Sequence, residues 1–376
     1  MMDDAGTTRR RQELWLLEQQ ANDLLWALVV TAMNPNATEA RKSQEKRLAD
    51  SLPRWQEHLK KRRWALGSTL TYVDFLLYEA LDWNRQYAPD AFANRPELLD
   101  YMQRFEQLPN IKEYFASDKA SGYCAEGTGS EANRRVIIIS WVWASRVQMP
   151  PGSVKMAPAV LGCANARGLA QSIRNLLVYK GVPFEEKQYK LGPTLSHEKA
   201  GWPSERFSLG LQFPNLPYYN DGEVNITQSI AILRYLGRKH DLAAKSAEEA
   251  TQLDLLEQQA NDLIWGLIVA TMGPAESEGR RHHENNLTLA LTCWEDHLNK
   301  HKWAVGDRIT YVDFLLYEAF AWNFEYKPEA FADYPTVKRY MQNFEALPKM
   351  KEYFASPSYI KWPILGRPNF YWGYKK

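Results

Sequence analysis

The sequence predicts two all-helical domains of one type, separated by a smaller domain of the α+β class. Two observations support this prediction. A long segment near the amino terminus recurs 239 residues later, and only the stretch between the two copies alternates short apolar strands with helices. A length of 376 residues is enough for two or three domains.

The repeat is a domain duplication. Residues 14–117 align without a gap with residues 253–356, and 58 of the 104 aligned positions carry the same residue. This period is far longer than the roughly 20 to 50 residues of solenoid repeats. We therefore predict helical domains at residues 12–120 and 250–376. Residues 121–156, which contain Gly-Thr-Gly-Ser and Met-Pro-Pro-Gly but no amphipathic period, are predicted to be a poorly ordered linker.

Both copies carry helical signals. Apolar residues recur with the 3.6-residue period of a helix from Leu14 to Leu28. Thr71 with Asp74, and Thr310 with Asp313, have the spacing of a capping box, and each pair precedes an apolar run. We therefore predict that both aspartates are structural and satisfy the backbone at the start of a buried helix.

The central domain, predicted at residues 157–241, begins with a β-α-β pattern. Ala159–Leu161 is predicted as a short buried strand, because it is a brief apolar run. Gly168–Lys180 is predicted as a helix with an apolar face, and Phe184–Lys190 alternates like a second strand. A loop then leads into the second half of the domain.

The second half of this domain predicts a peptide-binding edge. Leu216-Pro217 opens an extended run, where a cis proline can hold the backbone in one shape. Asn220-Asp221-Gly222 is a hairpin turn, with Gly available for a positive φ. Ser229 stands at the start of an amphipathic helix, and the N–H groups and dipole of such a helix attract a carboxylate. A fixed backbone edge beside a carboxylate seat suits a small, extended, acidic peptide.

Composition narrows the possible partners. The formal net charge of +1 argues against a nucleic acid or an anionic membrane as the main partner. The amino terminus lacks the apolar core of a signal peptide, and three Cys do not make a disulfide framework, so we expect a cytoplasmic protein. The run His282-His283-Glu284 lacks the spacing of a metal site and is predicted to be a solvated helix face. No metal is expected.

Four strings occur in the order found in one enzyme family, and they resemble the glutathione transferases, in particular the mu class. The strings lie at Arg167–Ala170, Phe213–Tyr218, Ile226–Ser229 and Thr310–Phe314. The resemblance runs from about Met156 to the last residue and returns in the front repeat. It implies that residues 157–241 form a thioredoxin-like domain, in the order βαβ-α-ββα, that precedes a helical transferase domain. The first helical domain is then an additional copy of the second.

The resemblance implies a detoxification enzyme that uses glutathione as co-substrate and adds its thiolate to small hydrophobic electrophiles. In the mu class, a tyrosine hydroxyl just after the first strand donates a hydrogen bond to the glutathione sulfur and so favours the thiolate. That position is Cys163 here, and the tryptophan that follows is replaced by Ala164. A thiol is a weaker donor than a phenol, so this activation is expected to be weakened.

Two other functions remain open because of Cys163. The protein can hold glutathione or a hydrophobic ligand without catalysis. Alternatively, Cys163 lies just ahead of a helix N-terminus and near Arg167, a setting that lowers the pKa of a thiol. It would then act as a glutathione-dependent thiol–disulfide oxidoreductase.

The resemblance also implies which residues bind glutathione. Trp202 and its basic neighbours would line the glycine end, and the backbone at Asn215-Leu216 would meet the cysteinyl portion. Gln228 and Ser229 would hold the γ-glutamyl end at the helix start. Asp262 would reach across a dimer to the partner's glutathione. The full implied set is Ala164, Lys199, Trp202, Arg206, Asn215, Leu216, Gln228, Ser229 and Asp262.

The second substrate and the subunit contacts are implied in the same way. Leu169 and Met272 would line the pocket for the electrophile. Phe213 matches an aromatic key that enters the helical domain of the partner in a mu-class dimer. Two arrangements follow from it: an ordinary homodimer, or an intrachain pseudo-dimer in which the front repeat, which retains Asp23 at the position of Asp262, docks on the Phe213 edge.

Overall fold

The structure is a computed structural model that describes residues 4–32, 37–116, 158–190, 201–365 and 371–374. The predicted linker at 121–156 and the predicted site residue Lys199 lie outside the described residues. The chain divides into two compact units, with the division between residues 142 and 143.

The first unit contains the front helical domain. Its helices are α1 (Asp4–Ala32), α2 (Ala37–Lys60), α3 (Tyr72–Tyr87), α4 (Pro96–Glu106) and α5 (Pro109–Ala116). The capping box before α3 is formed as predicted, because the backbone N–H of Thr71 donates to Asp74 at 2.8 Å. The prolines at the starts of α4 and α5 occupy first helical positions, where the missing N–H costs nothing.

The second unit begins with the α+β domain and ends with the second helical domain. The α+β domain contains β1 (Ala159–Ala164), α6 (Gln171–Lys180), β2 (Phe184–Tyr189), α7 (Trp202–Glu205), β3 (Tyr218–Asn220), β4 (Asn225–Thr227) and α8 (Ser229–Lys239). The helical domain contains α9 (Ala247–Ala270), α10 (Glu278–Leu298), α11 (Tyr311–Tyr326), α12 (Pro335–Glu345) and α13 (Pro348–Phe354). This βαβ-α-ββα order, followed by helices, is the predicted fold class.

The four strands form one sheet in the order β2-β1-β3-β4. Strand β1 pairs parallel with β2 and antiparallel with β3, and β3 and β4 form the predicted hairpin. Gly162 lies in the centre of β1, where a Cβ atom would come within 1.9 Å of the Tyr218 ring. Glycine at this position therefore lets the aromatic ring lie directly on the sheet.

The first strand is longer, and the first helix shorter, than the sequence suggests. Strand β1 continues to Ala164, and α6 begins at Gln171 rather than at Gly168. Gly168 has a φ of 46°, and its N–H donates to the carbonyl of Ile364 at 2.9 Å. The neighbouring N–H of Arg167 donates to Pro363 at the same distance. Contacts with the C-terminal tail, the described residues 355–365 and 371–374 that follow α13, thus take the place of the first turn of the expected helix.

The second helical domain has the same capping box before α11 as the first has before α3. The Asp313 carboxylate accepts the backbone N–H of Thr310 at 2.8 Å and that of Ala304 at 2.7 Å, as predicted for a structural aspartate. The prediction of a solvated face at His282-His283-Glu284 is wrong for His283. Its ring is buried and lies 2.8 Å from the side-chain oxygen of Asn323, because the position faces α11. Among the described helices, none combines the length and apolar character needed to cross a membrane.

Candidate active site

The predicted peptide-binding edge is the segment just before β3. The bond between Leu216 and Pro217 is cis, as the sequence suggested. The side-chain oxygen of Asn215 accepts the N–H of Leu216 at 2.9 Å, and both residues are half-buried. Thr227 ties this segment to β4 by donating its hydroxyl to the carbonyl of Phe213 at 3.0 Å. The edge is therefore held by hydrogen bonds at Leu216 and at Phe213.

Helix α8 begins at Ser229, at the position that the sequence predicted. The preceding residue, Gln228, has φ 75° and ψ 114°, a conformation that costs a residue with a side chain about 1–3 kcal/mol. In the described part of the chain, no side chain caps this helix from the Gln228 position. The Gln228 side chain therefore does not occupy the first N–H groups of α8, the groups to which a carboxylate binds at a helix start.

An aromatic cluster packs against Leu216 of this edge. Trp202, the first residue of α7, is buried and stacks on Tyr218 with ring centroids 6.0 Å apart. It also meets the Tyr189 ring edge-on at 5.2 Å. Arg206 follows α7 and places its guanidinium 4.6 Å from the centre of the Phe207 ring. Trp202 is therefore part of a packed cluster, and Arg206 supplies positive charge at its rim.

Cys163 occupies a buried polar position in β1. Its sulfur accepts a hydrogen bond from Nη2 of Arg174 at 3.0 Å, and its thiol donates to Oε1 of Glu186 at 3.4 Å. Arg174 and Glu186 also form an ion pair with an Nε–Oε2 distance of 2.8 Å. Helix α6 therefore supplies the donor to this thiol, Arg174, and strand β2 supplies its acceptor, Glu186.

The thiol is held in its neutral form. Burial is the largest cause that raises the pKa of Cys163 to about 12; Arg174 opposes this rise and Glu186 adds to it. This finding is opposite to the expected lowering of the pKa by a helix N-terminus and Arg167. Arg167 is directed elsewhere, because its guanidinium binds the buried carboxylate of Glu318 at 2.7 Å.

The C-terminal tail connects the two predicted residues of the electrophile pocket. Leu169 follows Gly168, whose N–H is bonded to Ile364 of the tail. Met272 follows Thr271, whose carbonyl accepts the N–H of Tyr371 at 2.9 Å. Leu169 and Met272 are both half-buried, and the tail adds the paired rings of Trp362 and Trp372 nearby. Leu169 and Met272 therefore each follow a residue that is hydrogen-bonded to the C-terminal tail.

The remaining predicted positions differ in exposure. Ala164 ends β1 and is half-buried. Asp262 is exposed on α9, as a carboxylate that reaches a partner must be. Phe213 is buried, with 3% of its surface exposed. Its role as a dimer key stays a prediction, as do the roles of the other site residues.

Comparison with known proteins matches this architecture to one family. The glutathione S-transferase C-terminal domain matches twice, at residues 22–118 and 261–357. The N-terminal domain of the same family matches residues 159–238. The chain belongs to the glutathione S-transferase family.

The individual relatives include members of the mu class. Glutathione S-transferase Mu 2 of Mus musculus is 37% identical over 214 residues, which are 57% of this chain and 98% of the relative. A glutathione S-transferase of Mesocricetus auratus is 40% identical over 199 residues, 53% of this chain and 91% of the relative. The crystal structure of the glutathione S-transferase Blo t 8 superposes with a TM-score of 0.52 at 32% identity, covering 57% of this chain and 99% of that one.

Sequence reasoning missed Arg174 and Glu186, which surround Cys163. The available signal was a charged residue, Arg174, three positions before the fully buried Leu177 and therefore on the same face of α6. A charge on an otherwise apolar helix face is expected to have a buried partner. The partner itself, on β2, could not be named without the parallel pairing of β1 and β2.

Proposed function

We propose that this transferase binds glutathione along the Leu216 edge and transfers its thiolate to small hydrophobic electrophiles. The observation that carries the proposal is the pairing of that edge with the start of α8, where Gln228 holds a positive φ immediately before Ser229. An extended backbone beside a helix N-terminus suits a tripeptide with an α-carboxylate at its γ-glutamyl end.

Catalysis is expected to be weak. The thiolate of bound glutathione is stabilised most by a donor whose hydrogen bond strengthens as negative charge develops on the sulfur. Cys163 is a poor donor of this kind, because its thiol already donates to Glu186 and is buried. The other groups of the site must then lower the pKa of the glutathione thiol.

The burial of Cys163 also supports a second function, binding without catalysis. Binding of glutathione or of a hydrophobic ligand without turnover needs the edge, α8 and the tail, but no activating hydroxyl. The oxidoreductase alternative is disfavoured, because a thiol with a pKa of about 12 supplies little thiolate at neutral pH.

The cellular setting and the assembly belong to this proposal too. Resemblance to the mu class supports a dimeric protein of the cytoplasm with a role in detoxification. The dimer would use Phe213, either between two chains or with the front repeat of the same chain. Light scattering separates these arrangements, because deletion of residues 1–155 leaves a dimer only in the first case.

The test is conjugation of glutathione to a chloronitrobenzene-type electrophile by the parent, Cys163→Tyr and Cys163→Ser. We expect a slow parent, a serine variant close to it, and a tyrosine variant with a kcat raised about a hundredfold or more, the usual contribution of a positioned proton donor. Retention of glutathione without turnover in all three proteins would leave the binding function. Disulfide reduction that is present in the parent and lost in both variants, neither of which has the thiol, would restore the oxidoreductase alternative.

A further inference from the structure

A cleft in the second helical domain lies between the end of α10, with the loop that follows it, and one side of α12. Its volume is about 280 Å³, near the roughly 300 Å³ at which small-molecule sites begin. Most of the residues that line it are exposed, so the cleft is open to solvent. The Leu216 edge belongs to the α+β domain, and the two sites share no residue.

The lining of this cleft is basic. Lys300 and Lys302 of the loop after α10 and Arg339 of α12 are exposed, and His301 lies between the two lysines in the chain. None of the lining residues, all within the described part of the second unit, carries a carboxylate. Among the residues that the structure describes, no carboxylate forms an ion pair with Lys300, Lys302 or Arg339. Three cations therefore line one space, and no ion pair with a described residue neutralises them.

Glu295 of α10 interacts electrostatically with Arg339, but it has a structural role. Its carboxylate accepts the N–H of Thr336 at 2.9 and 3.0 Å and the N–H of Val337 at 2.9 Å, which satisfies the start of α12. Burial acts to raise the pKa of Glu295, but these hydrogen bonds and the charge of Arg339 lower it. Both oxygens of Glu295 are therefore held at the helix start.

The front helical domain has different charges at the matching positions. With the same offset of 239 residues, Arg339 corresponds to Asp100 and Asn343 corresponds to Arg104. Arg104 forms an ion pair with Asp100 and donates to the backbone carbonyl of Arg63 at 3.2 Å. In the front copy, a side chain of α4 thus reaches the loop after α2, whereas the shorter Asn343 stands at that place in the second copy.

A second ion pair of the front copy has no equivalent in the second. Arg62 pairs with Glu13 at 2.9 Å, and the corresponding residues are His301 and Gln252. Two carboxylates that form ion pairs in the front copy, Glu13 and Asp100, therefore have an amide and an arginine as their counterparts. The basic character of the cleft is thus specific to the second copy and is not a general property of this loop.

We propose that the cleft between α10 and α12 binds a small phosphorylated molecule, a ligand separate from glutathione and from the electrophile. A phosphate group carries a charge of about −1.5 to −2 at pH 7 and three acceptor oxygens, so it can meet three cations at once. A carboxylate has one charge and two oxygens. The volume of about 280 Å³ is larger than a phosphate ion alone fills, so the ligand is a phosphate ester with a small organic group.

Each side chain has a distinct part in this binding. Arg339 holds two phosphate oxygens through its planar guanidinium, and Lys300 and Lys302 contact the group as point charges. Asn343 follows Arg339 by four residues and therefore lies beside it on the same face of α12. Its amide supplies a hydrogen bond to the organic part of the ester.

The test is isothermal titration of the purified full-length chain with glucose 6-phosphate and with inorganic phosphate, with acetate as competitor. We expect one saturable site per chain for glucose 6-phosphate, with a Kd of about 1 mM or lower. Inorganic phosphate should compete for this site, and acetate at the same concentration should not, because it has one charge to offer. Since neither ligand contains a thiol or a peptide, this readout is independent of glutathione binding.

Two substitutions with the same change of charge locate the site. Arg339→Asp installs the residue of the front copy and should raise the Kd about tenfold or more, as expected for loss of a charge-assisted contact. Arg281→Asp is the control, because Arg281 is exposed in the first turns of α10, roughly 25 Å along the helix from the cleft. At about 0.15 M ionic strength the Debye length is about 8 Å, so this control should leave the Kd unchanged.

A second pair of variants uses the duplication. Lys300→Gln should weaken binding, and Lys61→Gln, the same change at the matching position of the front copy, should not. Unchanged urea midpoints show that the variants are folded. No saturable binding by the parent, or a Kd raised equally by Arg339→Asp and Arg281→Asp, would overturn the proposal. Binding of inorganic phosphate without binding of glucose 6-phosphate would overturn the assignment to a phosphate ester.

Discussion

The sulfur of Cys163 lies 3.0 Å from Nη2 of Arg174, inside the protein and away from solvent. Arg174 shares its other hydrogen bonds among Glu186, Gln171 and the carbonyl of Arg167. Cys163, which the resemblance to the mu class matches to a tyrosine, is thus part of an internal polar network. This relationship determines what the site can do and how its variants will behave.

Cys163 should resist thiol reagents in the native protein. Burial and the raised pKa leave little thiolate at pH 7 to 9, whereas Cys293 is exposed on α10. Mass spectrometry after iodoacetamide treatment should find Cys293 alkylated within minutes and Cys163 alkylated only after unfolding. A Cys293→Ser chain provides the matched control. Rapid native labelling of Cys163 would contradict its burial.

The stability of the second unit should fall at high pH because of the same thiol. A pKa raised from 9.0 to about 12 on folding means that the stabilisation is fully present below about pH 9. It is lost as pH rises from about 9 towards 12, since the unfolded thiol ionises first. Urea unfolding at about pH 8 and pH 10.5 should therefore show a larger loss for the parent than for Cys163→Ser, which has no thiol to ionise.

Removal of Arg174 should destabilise the thioredoxin-like domain. Arg174→Met leaves Glu186 without its buried partner, at a cost of about 3 kcal/mol in the free energy of unfolding. Lys187 on the same strand pairs with Glu205 at the surface, so Lys187→Met should change stability by less than about 1 kcal/mol. Comparable losses for both variants, measured by urea midpoints, would argue against the network.

Gln228→Gly should separate stability from binding. Glycine adopts a φ of 75° at no steric cost, so the variant should be unchanged or more stable by about 1 kcal/mol. Loss of the side chain should weaken glutathione binding. Gln228→Ala keeps the unfavourable backbone and loses the same side chain, so it should bind as weakly and be less stable than the glycine variant. Differential scanning calorimetry with titration measures both properties.

The duplicated glutamates provide an internal comparison. Glu318→Gln removes the charge that Arg167 needs, and should cost about 3 kcal/mol. Glu79→Gln is the same change at the matching position of the front copy, where the side chain is half-buried, and should cost less than about 1 kcal/mol. Equal shifts in the unfolding transition would contradict the difference in burial between α3 and α11.

The sequence predicted the parts of the fold that local patterns control. The capping boxes at Asp74 and Asp313, the turn at Gly222 and the start of α8 at Ser229 all depend on residues a few positions apart. Each is present in the structure. The cis bond before Pro217 is also present, and proline is the residue before which the cis form has a low free-energy cost.

Contacts between distant residues account for what the sequence did not reveal. The late start of α6 depends on carbonyls of the tail at Pro363 and Ile364. The burial of His283 depends on Asn323, and the raised pKa of Cys163 depends on burial beneath Arg174 and beside Glu186. Local sequence patterns do not show partners that lie far along the chain. The nearby helix N-terminus therefore suggested a lowered pKa for the Cys163 thiol, whereas burial raises it.

The central claim is that the Leu216 edge and the start of α8 hold glutathione. Isothermal titration of the purified full-length chain with reduced glutathione tests it most directly, with Gln228→Ala as the comparison. We predict saturable heat at one site for each complete transferase unit, and a Kd raised about tenfold or more in the variant, as expected for loss of a hydrogen bond to a charged group. No heat with the parent, together with no retention on a glutathione resin, would contradict the claim even though the fold remains that of a glutathione transferase.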